Sequence, residues 1–246
     1  PAFPTRRSSD LGTIDIAETL PPDAIPSLKA AGMTIVQNSY PHVWAWRLNL
    51  NPGTPFADIR VRKAANLAID REGMVQLLSG TAEAAKGKVL PGDPWFGKPS
   101  FNIRYDADAA KALMTEAGYG PTRRLPVKVV IASGGGGQMV PMPMNEMMQE
   151  NLKDIFIDVS FEVVDFTTII NMLRGGTRSD QQRGFHALNI AIPSIEPTAG
   201  WTIYDSALTA PRGNNWGWYN NPAVDQQIKV MREAVDQAAQ DAAMAR

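Results

Sequence analysis

Between residues 55 and 78 the apolar positions fall three and four apart. Val61, Ala64, Ala65, Ala68 and Ile69 form one buried helical stripe, and Asp58 ahead of it can accept a backbone N–H as N-cap. Two arginines and a lysine fall off that stripe, and the pattern predicts two helices over 58–78 with an interruption near Asp70. Residues 106–117 repeat the arrangement. Asp106 caps, Ala109, Ala110, Leu113, Met114 and Ala117 make the inner face, and Gly118 supplies a left-handed stop. Further helices are predicted over 22–31, 143–154 and 167–174, and a long one over 222–243 with Val224, Ile228, Met231 and Val235 inward. Apolar runs predict strands over 13–16, 34–37, 43–49, 126–132, 157–164 and 186–192. Strands alternating with helices predict an α/β fold, a largely parallel sheet covered by helices.

Composition narrows the class. With 246 residues, 44% hydrophobic and 20% charged, the chain can build a sizeable core. A net charge of −1 leaves no electrostatic footprint for nucleic acid or an anionic membrane surface. No apolar run approaches the roughly 20 residues that span a bilayer. The absence of cysteine fits an extracytoplasmic protein without disulfides and a cytoplasmic one equally.

Catalytic chemistry has little to work with. The two histidines, His42 and His186, lie far apart and lack metal-ligand spacing, so a strand-end or core role is expected for each. No cysteine and no Gly-x-Ser-x-Gly offers a nucleophile, and no catalytic residue, metal or cofactor is assigned. The Ser133–Gln138 stretch with its four glycines follows a strand, but it lacks the Gly-Lys-Ser/Thr ending of a phosphate loop; a flexible surface loop is expected there. Methionines at 139, 142, 144, 147 and 148 could serve soft copper(I), though irregular packing explains them better.

Strings of residues add a family. Pro55-Phe56-Ala57-Asp58-Ile59-Arg60-Val61-Arg62, running on to Ala68-Ile69-Asp70-Arg71, resembles the PF-x-D-x-R-V-R-x-A-x-x-x-A-I-D-R segment of extracytoplasmic solute-binding proteins of peptide-type ABC transporters, the family 5 group. Gly80 with Ala82, Ala84 and Ala85, then Val89-Leu90-Pro91, is similar to that family's G-x-A-x-P-A…P connection. Tyr105–Tyr119 resembles its YDPxxAKxLLxEAGY helix, and Gly217–Asp225 its GYxNPEVD entry. The resemblance spans residues 12–246.

It implies a fold of the type II periplasmic-binding-protein kind, a two-lobed flytrap of which this chain holds mostly the second, C-terminal lobe. The implied divisions are an artefactual or disordered tail at 1–11 (residues 3–11 resemble a translated sequencing adapter), the end of the first lobe at 12–43, a hinge-crossing strand at 44–50 and an incomplete second lobe at 51–246. It implies no enzyme but the substrate-binding component of an ABC importer, with a peptide-like or other organic ligand and the permease subunits as partners. A monomer in the periplasm, or anchored outside the membrane, is expected, with any signal peptide upstream of this sequence. A ligand-sensing regulatory protein on the same lobes, or an enzyme completed by a missing half, are the alternatives.

Ligand contacts follow from the same likeness. In peptide-binding relatives the strand end is followed by D-x-x-D/E-P, whose first aspartate pairs with the peptide ammonium. Here Glu196-Pro197 aligns with the end of that segment and Pro193 occupies the aspartate position. The arginine that dipeptide-binding relatives carry before the next helix is replaced by the glycines 134–137. A free zwitterionic dipeptide is therefore not the expected ligand, since a buried ammonium without a counter-charge is costly. Ser194 and Glu196 are the polar candidates. Trp44 and Trp46, on one face of the hinge strand, and Trp201 and Trp216 in the late loops are the aromatic ones.

Overall fold

The strand Leu125–Ala132 (β2) shows why this sequence needs two covering layers. Val127, Val129 and Ile131 point into one apolar cluster and Val130 and Ala132 into another, so both faces are buried, as in a central parallel strand. The computed structural model describes residues 15–17, 20–37, 42–135, 137–193 and 201–246. Within them a short helix, Ile25–Ala30 (α1), precedes the strand His42–Leu48 (β1). Helices Ile59–Ala68 (α2), Arg71–Leu77 (α3) and Ala107–Glu116 (α4) come before β2. Then follow Pro141–Lys153 (α5), strand Ile157–Val164 (β3), helix Phe166–Gly175 (α6), strand Ala187–Pro193 (β4) and helices Pro222–Glu233 (α7) and Gln237–Met244 (α8).

The strand order is β1-β4-β2-β3. β2 pairs in parallel with β3 from Leu125↔Ile157 to Ala132↔Val164, and with β4 only at Val129↔Ala187 and Val130↔Leu188. β1 closes the other edge antiparallel to β4, from His42↔Pro193 to Leu48↔Ala187. The expected parallel sheet thus carries one antiparallel edge strand. From β2 the chain crosses through α5 to β3, then returns through α6 to β4 on the far side of β2. Leu152 of α5 packs in the cluster with Val129, and Ile169 and Met172 of α6 in the cluster with Val130. The winding therefore reverses at β2, and the carboxyl ends of β2 and β4 flank a switch point, where α/β proteins bind ligands.

Local signals set the helices. Asp58, Asp70, Asp106, Asp165 and Asp236 each accept a first-turn backbone N–H as N-caps. At the end of α4, Gly118 N–H donates to Thr115 O and Tyr119 N–H to Met114 O, the paired bonds of a glycine stop.

Three expectations need correction. The single helix over 222–243 is two: Ala234 turns extended, Asp236 caps a new helix, and Val235, expected inward, is 99% exposed. The apolar period continues across a capping residue that ends it. Residues 34–37 form no strand; they have no ladder partner among the described residues, and Val36 is exposed. Of the strand expected over 13–16, residues 13 and 14 lie outside the described residues and 15 and 16 are not in a strand.

Candidate ligand-binding strand end and flanking aromatics

The carboxyl ends of β2 and β4 meet the start of β1. His42 stands opposite Pro193 in the ladder, and the glycine loop after β2 folds down beside them. That loop is packed at Gly135 and Gly137, whereas Gly134 faces open space. Gly137 has φ +73°, and a Cβ there would stand 3.1 Å from the Ala191 Cβ and 3.4 Å from the His42 ring; one on Gly135 would strike the Phe166 ring at 2.6 Å. The loop lies at the surface, with Ser133 and Gly135 exposed, yet Gly135 and Gly137 are the positions where neighbouring side chains come close. Gln138, next in line, is fully buried, and among the described residues its carboxamide has no hydrogen-bond partner.

Trp44 and Trp46 do share one face of β1, which looks into the lobe. The Trp46 indole N–H donates to Asn145 Oδ1 at 2.7 Å. Asn145 Nδ2 donates to Pro141 O (2.8 Å) and Asn189 Oδ1 (3.1 Å), and Asn189 Nδ2 to Ala45 O (3.1 Å). Both asparagines are fully buried, so this chain of amides rivets β1 to β4 and α5. The Trp46 ring also meets Phe161 edge-on at 6.4 Å. Trp44 packs against Met74, Leu78 and Met144 nearer the strand's start. Of the methionines singled out in the sequence, Met144, Met147 and Met148 join this cluster, Met142 and Met148 touch the main one, and Met139 is exposed.

The late aromatics separate. Trp216 is 1% exposed inside the α6-side cluster, so its ring has no face left for a ligand. Trp201 is half-buried, with the Arg232 guanidinium 4.9 Å over its ring. Tyr204 and Tyr219 meet edge-on at 5.9 Å. Pro193 closes β4 at the switch point, and Ser194 and Glu196 lie outside the described residues. Of the five described residues among the seven proposed from sequence, Trp44 and Trp46 share β1, whose start faces Pro193, whereas Trp216 is sealed in the α6-side cluster.

Sequence reading missed a basic group on β1. Arg47, on the face opposite the tryptophans, donates from Nη1 to Asn214 O at 3.3 Å. Burial holds its pKa below the usual value, an effect the nearby Tyr204 opposes. Burial first, and Arg47 second, bring Lys88 down to about 8. His42 is lowered too, by burial and then by Lys88. Arg47 and Lys88 are 41 positions apart in the chain, so no local motif could have joined them. His186 has a structural task, its Nδ1 accepting the Lys128 backbone N–H at 2.9 Å.

The sheet is thus wound about a switch point and carries one antiparallel edge strand. The family model described as "Bacterial extracellular solute-binding proteins, family 5 Middle" matches residues 5–213, and the chain belongs to this family. The periplasmic murein peptide-binding protein MppA of Escherichia coli (strain K12) is 27% identical over 233 residues, covering 91% of this chain and 40% of that protein. Among solved structures, the ABC transporter-associated periplasmic binding protein DppA of Helicobacter pylori, in complex with peptide STSA, superposes with a TM-score of 0.80. Identity there is 17%, with 97% of this chain and 45% of that one covered. NikA of Staphylococcus aureus in complex with Ni(L-His)2 gives 0.79 at 18% identity, covering 97% and 49%. The chain thus spans less than half the length of these relatives. The OppA of Haemophilus influenzae, 25% identical over 203 residues, is like MppA a periplasmic binding protein.

Proposed function

We propose that the chain supplies the second lobe and hinge-crossing strand of a solute-binding protein that serves an ABC importer outside the cytoplasmic membrane. The carrying observation is the junction of His42, Pro193 and the packed glycine loop at the switch-point end of the sheet. β1 would cross the hinge there, between a first lobe ending near residue 43 and a second beginning near 51. Ligand held between the lobes favours the closed form because it touches both, and the closed form is what the permease receives. The same lobes in a sensor would bind identically; no feature of the site favours that reading or an enzymatic one.

For ligand class, two features agree. Pro193 leaves no carboxylate at the position that would hold an ammonium, whereas Lys88, close enough to act on both His42 and Arg47, puts positive charge beside β1. The solute we infer is a peptide-like molecule with a free acidic end and a blocked or absent amine. Murein peptide, peptide STSA and Ni(L-His)2, the solutes named for the relatives, set the size range.

The test is a thermal-stability panel: free dipeptides, N-acetylated dipeptides, dipeptide amides and nickel–histidine. A ligand at about 100 times its Kd stabilises by about 2.7 kcal/mol. N-acetyl peptides with a free carboxylate should shift the melting temperature most. A larger shift with free dipeptides than with their acetylated forms would overturn the ligand class.

A further inference from the structure

A cleft of about 490 Å³ opens at the other end of the sheet, beyond the Leu48↔Ala187 pair, where β1 runs out into Leu50 and Asn51. Three arginines, Arg62, Arg178 and Arg212, line it, and among the described residues no aspartate, glutamate or lysine does. Each comes from a different stretch of chain, and Trp218 and Tyr219 supply an aromatic wall.

These cations are held rather than neutralised. The Arg178 guanidinium lies 3.3 Å over the Trp218 ring, and its Nε donates to Asn51 Oδ1 at 2.8 Å. Trp218 itself adopts φ +60°, a left-handed conformation that bulky residues avoid and that here carries its ring beneath the arginine. Arg62 Nη1 donates to Phe56 O (2.7 Å) and Ala57 O (3.0 Å); burial holds its pKa below the usual value, an effect that Tyr219 and Asp58 only partly oppose. Among the described residues none of the three forms a salt bridge. The carboxylates nearest in sequence have other partners: Asp58 pairs with Arg60 at 2.6 Å, Asp180 with Arg183 at 2.7 Å, and Asp205 accepts the Ala207 backbone N–H at 2.8 Å.

We infer that this cleft binds a small organic polyanion, a molecule with two or more carboxylate or phosphate groups, separately from the solute at the switch-point end. Planar guanidiniums match such groups with paired hydrogen bonds, and the volume suits a metabolite-sized ligand with an apolar face toward Trp218. An extended polyanion such as nucleic acid fits less well, because the net charge of −1 provides no wider basic field.

The test is calorimetric titration of the 246-residue chain with citrate, with fructose 1,6-bisphosphate and with inorganic phosphate, at constant ionic strength in chloride. Saturable binding of citrate or fructose 1,6-bisphosphate is expected, and the stronger of the two identifies the anion class. Arg212→Gln and Arg178→Gln should each weaken it by about tenfold, whereas Arg183→Gln, outside the cleft, should leave it unchanged. Arg212 is exposed and its side chain supports no described neighbour, so its variant decides the matter if Arg178→Gln perturbs folding. Binding that fails to saturate, that is equal for inorganic phosphate alone, or that survives Arg212→Gln overturns the assignment.

Discussion

Asn145 is the residue on which the structural reading of β1 can be tried most sharply. It is fully buried and joined to three partners: it accepts from the Trp46 indole N–H and donates to Pro141 O and Asn189 Oδ1. Asn145→Ala leaves the Trp46 N–H and the Asn189 carbonyl oxygen without those bonds in a place water does not reach. Each stranded group costs about 1–3 kcal/mol, so the loss should be about 2–5 kcal/mol. Urea unfolding followed by far-ultraviolet circular dichroism measures it, at unchanged m-value. In a Trp46→Phe background one of the stranded groups is already gone, and the same substitution should cost about 1–2 kcal/mol less. A loss below about 1 kcal/mol, or full additivity of the two substitutions, would refute the claim that Trp46 is spent on holding β1 in place.

Lys88 should give stability an alkaline slope. Its folded pKa, near 8, lies below the ordinary 10.5, so the folded chain binds fewer protons between those values and unfolding free energy rises as pH climbs through them. The deficit is fully present below pH 8. Allowing for the half-exposed position, Lys88→Met should abolish the slope and stabilise by about 1–2 kcal/mol at pH 7, which urea titrations at pH 7 and 10 would check. Val235→Ser should change stability by less than about 0.5 kcal/mol, because that side chain is exposed; a loss of more than about 1 kcal/mol would restore the single long helix. Asp106→Ala removes the acceptor for Ala109 N–H and should cost about 1 kcal/mol by chemical denaturation.

Much of the fold was legible because its signals are local. Asp58, Asp70 and Asp106 mark helix starts, Gly118 marks a stop, and the apolar run of β2 reads as a buried strand without outside help. The break at Asp236 was missed because apolar spacing was followed across a cap, and residues 34–37 were assigned a strand because propensity cannot supply a ladder partner. The site was less legible for a different reason. That Trp44 and Trp46 share a face follows from the period of a strand; that the face looks inward, onto Asn145 and the methionines of α5, depends on where α5 packs. Trp216 is aromatic and loop-borne like Trp201, yet only Trp216 is sealed in the core. Arg47 with Lys88, and Arg62 with Arg178 and Arg212, are brought together only by the closed sheet and its connections.

The central claim is that solute binds at the carboxyl ends of β2 and β4. Nitrogen-15 NMR of the chain, titrated to millimolar concentration with an N-acetylated dipeptide, tests it most directly, since even weak binding by one lobe moves amide shifts. The account predicts that the moved amides gather at His42, in residues 133–138 and at 190–193. Shifts confined to the arginine cleft at the opposite end, or absent for every peptide of the panel, would contradict it.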